Sequence, residues 1–289
     1  MRKIIIICIL SIVPNLLKGQ DIMYADNLIF TQNGVYGWRN ELFTGDTLDK
    51  VNITAFYDCK FMTDTTTKKY IEYVADLEIG DEYSKFYGHS LHIIDSLSSH
   101  QKFIDNYEKA LRTVAKYYRK GYPMTFNDAI YIKFSDNSYK MSSRFVEIDY
   151  IHEGKVPEFK WTIHDSTKVI AGYRAQKATC THNGFNYTAW FSMDIPISSG
   201  PWKFNGLPGL IISVKDSNEE YVYELRGLST QQRDIIFPSY EYTRISEKRY
   251  AKLRRQAIEN PGFLSTHALS REILTTIREH IIIMKYRLQ

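Results

Sequence analysis

A chain of 289 residues, 44% hydrophobic and 24% charged, is large for one domain but acceptable for one sheet-rich domain with a helical appendage. Its formal net charge is +4, and Arg2, Lys3 and Lys18 sit in an N-terminal segment without acids, so the rest of the chain carries +1. That balance excludes a general polyanion binder, and with it nucleic acid as a partner.

The N-terminus, MRKIIIICILSIVPNLLKGQD, has a positive start at Arg2 and Lys3, then an apolar run from Ile4 to Leu17. This is the pattern of a cleaved secretory signal, residues 1–19, cut at Gly19-Gln20. The run is short for a span, which needs about 20 residues, and Pro14 interrupts it. Cys8 lies inside the apolar run, which argues against a lipid anchor. The expected location is therefore exported: periplasmic, associated with the outer membrane, or extracellular.

Residues 20–240 read as one β-rich domain. Val51 to Met62 (VNITAFYDCKFM) is rich in β-branched and aromatic residues. Tyr70 to Ile79 alternates with period two. Tyr70, Glu72, Val74, Asp76 and Glu78 fall on one side and Ile71, Tyr73, Ala75, Leu77 and Ile79 on the other, as in a half-buried strand. Ser84 to Tyr87 continues it. From Gln101 to Arg119 the period changes: Phe103, Tyr107, Leu111, Val114 and Tyr118 mark one face of an amphipathic helix, which Gly121 and Pro123 stop. Strands resume at 129–134 and 138–151, with Asp136-Asn137-Ser138 as the turn, then at FKWTIHD, KVIAGYRAQKATC, NYTAWFSMDIPI, GLIISVKD and YVYELRGL.

Residues 241–289 read as a C-terminal helical extension. Ser246 caps one helix, ended by Asn260-Pro261-Gly262, and a second starts near Ser270. Ten Lys/Arg against five Asp/Glu lie between Tyr240 and Gln289, with Lys248, Arg249, Lys252, Arg254 and Arg255 crowding the first helix. That face is either a peripheral contact for anionic lipid, glycan or a partner protein, or a solvated helix face. The fold expected is α+β: a mostly antiparallel curved sheet, open or a half-barrel, with one packed helix at 101–119 and C-terminal helices.

GPWKFNGLPGLIISVKD, from Gly200 to Asp216, places a bend before an apolar strand. Gly206 and Gly209 tolerate positive φ, Pro208 fixes its own φ, and Leu207 before it is pushed to extended backbone. No GK[ST] and no following helix accompany it, so the motif is a structural corner rather than a phosphate loop.

Around it stand Trp161, Lys168-Val169-Ile170-Ala171-Gly172-Tyr173, Gln176-Lys177-Ala178, Ala189-Trp190-Phe191, Ile195-Pro196, Gly200-Pro201 and Gly206-Leu207-Pro208-Gly209-Leu210-Ile211. In order and spacing this set resembles the GLPGLI family of exported proteins from Gram-negative bacteria. The strong likeness covers Phe159 to Arg226 and a weaker one residues 77–90; nothing after 260 matches. Where some members carry a Cys near Tyr173, this chain has Arg174-Ala175, so no thiol inference transfers. The resemblance implies an exported location and a shape, and no reaction.

Other chemistry is sparse. Cys59 and Cys180 either pair across a long loop, worth about 4–5 kcal/mol on the chain-entropy model, or stay as buried thiols on separate strands. Cys180 and His182 share a strand face, and His89, His92 and His100 lie near one another. Cys180 and His182 alone are too few to define a metal site, the three histidines lie on an irregular stretch, and no cofactor motif occurs. Trp161, Trp190 and Trp202 are the candidate binding residues, either lining a concave sheet for an apolar ligand or packing the core. The expected function is a non-enzymatic secreted envelope module acting through a partner, such as an outer-membrane transport or assembly protein. The alternatives are a periplasmic carrier of a hydrophobic ligand, and a hydrolase, which would need Asp194, His164, His182 and Lys177 to converge.

Overall fold

The structure, a computed structural model, describes residues 29–31, 34–36, 45–89, 128–145 and 148–259. Twelve strands form one open sheet. In spatial order they are β10 (Thr162–Ile170), β11 (Tyr173–His182), β12 (Phe185–Ser192), β13 (Leu210–Asp216), β14 (Tyr221–Ser229), β4 (Ile53–Asp64), β5 (Lys69–Ile79), β6 (Tyr83–Gly88), β7 (Ala129–Lys133), β8 (Ser138–Phe145), β9 (Ile148–Lys155) and β16 (Thr243–Arg244). All neighbours run antiparallel except β16, which runs parallel to β9. Two two-stranded sheets stand apart: β1 (Ile29–Thr31) with β2 (Gly34–Tyr36), and the ribbon of β3 (Gly45–Lys50) with β15 (Asp234–Pro238). Helix α1 spans Glu247–Glu259.

This corrects the α+β expectation. Among the described residues the fold is mostly β, with α1 as the single helix. The expected helix at 101–119 and the one near Ser270 lie outside the described residues, as does the signal segment. No helix among the described residues is long and apolar enough to cross a membrane.

Two segments read as single strands are hairpins. Residues 138–151 divide into β8 and β9, which pair from Ser138↔Lys155 to Phe145↔Ile148. KVIAGYRAQKATC turns at Ala171 (φ 48) and Gly172 (φ 86) between β10 and β11. Positive φ at both central residues is the two-residue turn whose twist matches the flanking strands, and an alanine there gives little warning in sequence.

Residues opposite one another in the register share a face of the sheet. On the first face, Ala55, Tyr57, Cys59 and Phe61 of β4 join Tyr73, Ala75 and Leu77 of β5 in the main core. Phe61 lies 5.2 Å from Tyr73, 5.5 Å from Tyr221 and 5.8 Å from Tyr223 between ring centroids. Burying each such side chain contributes about 1.5–3 kcal/mol. The segment after β12 closes this core with Ile195, Phe204 and Leu207.

The second face overturns the half-buried reading of β5: Tyr73 to Ile79 is buried on both sides, Asp76 and Glu78 included. The cause is the β3–β15 ribbon. Val51 and Ile235 pack with Tyr87, Ala129 and Tyr131 of β6 and β7 in a separate cluster, flanked by Leu48 and Phe237. The ribbon is pinned at one end by Asp49, whose carboxylate accepts from the amides of Glu82 (2.6 Å) and Tyr83 (3.0 Å) in the β5–β6 turn.

Candidate functional site

Among the described residues, β10 pairs only with β11, so one margin of the large sheet is open. The strand is exposed along most of its length. The register also breaks between Ile163 and Thr167, a bulge that blunts edge-to-edge pairing. Gln176 Nε2 donates to the His164 carbonyl (2.9 Å) and so holds the bulge in place. Four large apolar side chains of the described chain are strongly exposed, and three belong to this end: Ile163 (47%) and Val169 (72%) on β10, and Met193 (63%) just past β12. Val169 stands opposite Arg174, whose amide donates to Asp194 Oδ2 at 3.2 Å, next to Met193.

On the second face of this end lies Trp190, half-buried, with Lys177 directly opposite it on β11. Lys168 stands opposite Ala175, two residues from Lys177 on the same face, and its Nζ lies 4.3 Å from the centroid of the Trp190 ring. An ammonium over an indole is held by the ring quadrupole. Trp161 and Trp202 are placed elsewhere. Trp161 packs with Phe159 and donates its Nε1–H to the Asn205 carbonyl (2.8 Å). Trp202 sits at φ 58 beside Lys203. All three indoles are half-buried and pack against the main core, each with different polar neighbours.

The GLPG corner is built on close approach. Gly206 takes φ 89, a conformation L side chains rarely adopt. Gly209 does not take positive φ; instead, a Cβ there would lie 2.1 Å from the Ser192 carbonyl oxygen. Leu207 is buried in the main core and Pro208 is exposed. The loop hydrogen-bonds to the strand it feeds: Leu210 N donates to Ile195 O and Ile211 N to Ser199 O, each at 2.9 Å. Pro196 is exposed, Gly200 and Pro201 are buried beside this strand, Gly172 turns the β10–β11 hairpin with Tyr173 next to it, and Ala178 lies in the core.

Cys59 and Cys180 are separate buried thiols. Their strands, β4 and β11, are four steps apart in the sheet, about 19 Å at the usual strand spacing, and a disulfide needs Cα atoms within about 7 Å. Burial raises the Cys180 thiol to about 11. The residues that a hydrolase would need are also apart. His164 bonds Thr179 (2.7 Å), His182 packs on Phe159, Asp194 takes the Arg174 amide, and Lys177 is half-buried opposite Trp190. His92 and His100 lie outside the described residues. No group of three or more His, Cys, Asp or Glu among the described residues could hold a metal ion.

Two polar clusters were not legible in the sequence. On the second face, Asp76 Oδ1 meets His89 Nδ1 at 2.7 Å, and Arg233 Nε lies 2.7 Å from Glu78 Oε1, to which Tyr87 OH also donates (2.8 Å). On the first face, Lys203 Nζ pairs with Glu247 Oε1 (2.9 Å) and lies 3.9 Å from the Tyr139 ring centroid, while Tyr139 OH donates to Glu247 Oε2 (2.9 Å). The second cluster pins α1 to the sheet. Ser246 Oγ accepts from the Arg249 amide (3.3 Å), and Tyr250 is fully buried against Tyr150 and His152.

Burial works to raise the Glu247 carboxyl, but the Lys203 charge and its hydrogen bond outweigh it and leave the group below the usual glutamate range. Burial lowers Lys203 despite Glu247, so the buried ammonium bears the cost and the more exposed carboxylate the gain. A carboxyl depressed in the folded state stabilises above its unfolded pKa and loses that contribution as pH falls through its folded value. Amide exchange in α1 should therefore accelerate relative to the β4–β5 hairpin as pH drops below the ordinary glutamate range. Glu247→Gln should remove that pH dependence; exchange that follows pH equally in both proteins would exclude this pair as the latch.

A family model described as "Protein of unknown function (Porph_ging)" matches residues 182–213, which take in β12, the corner and the start of β13. No curated protein matches the chain. Among solved structures, the chain is similar to PNGF-II in its P21 crystal form (12% identity, TM-score 0.43) and in its C2 form (12% identity, TM-score 0.42). The matches cover 71% and 68% of this chain and 33% and 31% of those chains. The chain thus spans about a third of the length of those structures, and a likeness at that level carries no functional argument.

Proposed function

We propose that the protein is a non-enzymatic, exported module of the cell envelope, of the GLPGLI type, that acts by binding a partner protein at the β10 end of its sheet. An outer-membrane transport or assembly protein is the partner class in view. The observation that carries this reading is the exposure of Ile163 and Val169 (47% and 72%) on β10, an end strand of the twelve-stranded sheet whose outer edge is unpaired among the described residues, with Met193 (63%) just past β12 at the same end. Exposed apolar side chains gathered beside unpaired strand edges mark interaction surfaces, whereas scattered ones need no explanation. The signal-like N-terminus and the resemblance around the GLPG corner support an envelope location.

The test is crosslinking in the native envelope followed by mass spectrometry, with the full chain and with a Val169→Lys/Met193→Lys variant of unchanged melting temperature. One dominant partner, captured by the wild type and lost by the variant, is expected. Equal capture by both would move the contact away from this end, and capture of nothing by the wild type would end the module reading.

A further inference from the structure

The second face at the same end carries a charge pattern that the exposed apolar residues do not explain. Lys177 and Trp190 are cross-strand partners, and Lys168 reaches the indole from the next strand. Three strands thus bring two lysines to the face that carries the indole, with the Lys168 ammonium over the ring and Lys177 in the register position opposite it. Among the described residues neither lysine has a carboxylate partner. Four other lysines of the sheet do: Lys60 meets Glu72, Lys140 meets Glu153, Lys155 meets Asp136, and Lys215 pairs with Glu219. Along the row Lys177↔Trp190↔Ser213↔Glu224, the first carboxylate lies two strands beyond the indole.

We propose that this face, Trp190 with Lys168 and Lys177, docks an acidic segment of the partner protein, a claim that rests on the module reading above and names the chemistry of its contact. Carboxylates of the segment would meet the two ammonium groups, while the indole, half-buried and already positioned by Lys168, offers a rigid surface at small entropic cost. A segment entering along the open β10 margin would reach the same spot, because Lys168 is on β10 itself. Charge complementarity of this kind steers encounter and weakens with salt.

The experiment uses the purified full chain, its tryptophan fluorescence, and an octaglutamate peptide as probe. Octalysine, sodium glutamate at equal charge and polygalacturonate serve as comparators. A saturable change with octaglutamate is expected, weakening as salt rises. It should be roughly tenfold weaker in a Lys168→Gln/Lys177→Gln variant with unchanged melting temperature, and its signal should vanish in Trp190→Phe. No response, or an equal response in the lysine variant, would overturn the site. Tighter binding of polygalacturonate than of the peptide would overturn the protein segment in favour of an acidic glycan. The crosslinking experiment separates the two levels. A partner captured equally by wild type and the lysine variant would sink the acidic contact and leave the module standing; peptide binding without any captured partner would do the reverse.

Discussion

Gly209→Val should cost about 3 kcal/mol or more and lower the melting temperature by roughly 10 °C. The cause is distance. The first side-chain carbon would lie 2.1 Å from the Ser192 carbonyl oxygen, 2.6 Å from its carbon and 3.0 Å from the Met193 nitrogen. All three are backbone atoms at the end of β12, so no rotamer change can make room. Either β13 starts further away, breaking the Leu210–Ile195 hydrogen bond, or the end of β12 moves and uncovers Phe191 and Leu207 in the core. Gly184→Ala is the informative comparison. Gly184 has φ 82, and no neighbouring atom lies within 4 Å of the place its Cβ would take, so the variant should lose only the conformational preference, about 1 kcal/mol. Urea denaturation of both variants measures the difference. Equal losses would mean that the end of β12 gives way at little cost, and that close approach to Ser192 is not what makes glycine necessary at 209.

That distinction shows what the sequence could and could not say. The GLPG stretch reads as a corner because Pro and Gly constrain backbone locally, and Gly206 at φ 89 fits the reading. The need for Gly209 comes from Ser192, a contact between segments that no local rule sees. The same limit explains the hairpins. Asn137 at φ 52 marks the β7–β8 turn with a residue typical of such backbone, whereas Ala171 at φ 48 marks the β10–β11 turn with one that is not. Ser246 signalled the start of α1 because capping is local. Trp190 could be named from composition, but its pairing with Lys177 and its cover by Lys168 depend on the register across three strands. Period two in β5 told correctly which residues share a face. It assigned Asp76 and Glu78 to solvent because the β3–β15 ribbon, drawn from residues 45–50 and 234–238, lies far away in sequence.

That buried pair sets the second large effect. Asp76 and Glu78 are 0% and 2% exposed, and the cation from the described chain that faces both is Arg233, 3.7 Å from Asp76 Oδ2 and 2.7 Å from Glu78 Oε1. Arg233 comes just before β15, so the ion pairs also tie the ribbon to the sheet, together with the Val51 N to Arg233 O hydrogen bond at 2.8 Å. Arg233→Met keeps that backbone bond and much of the side-chain volume but leaves two carboxylates without their guanidinium. Breaking a buried pair by removing one partner costs about 3–5 kcal/mol, because the remaining charge has lost its hydration, and the contacts that stay, His89 with Asp76 and the Tyr87 hydroxyl with Glu78, do not replace the guanidinium. The exposed Lys60–Glu72 pair, at 2.9 Å, should lose less than about 1 kcal/mol in Lys60→Met, since water screens it. Adding Asp76→Asn and Glu78→Gln to Arg233→Met removes the stranded charges and should restore most of the loss. If the triple variant is no more stable than the single one, the contribution of Arg233 is packing of the ribbon and not charge. Hydrogen-exchange protection at β15 would then fall alone, with the β5 amides unaffected.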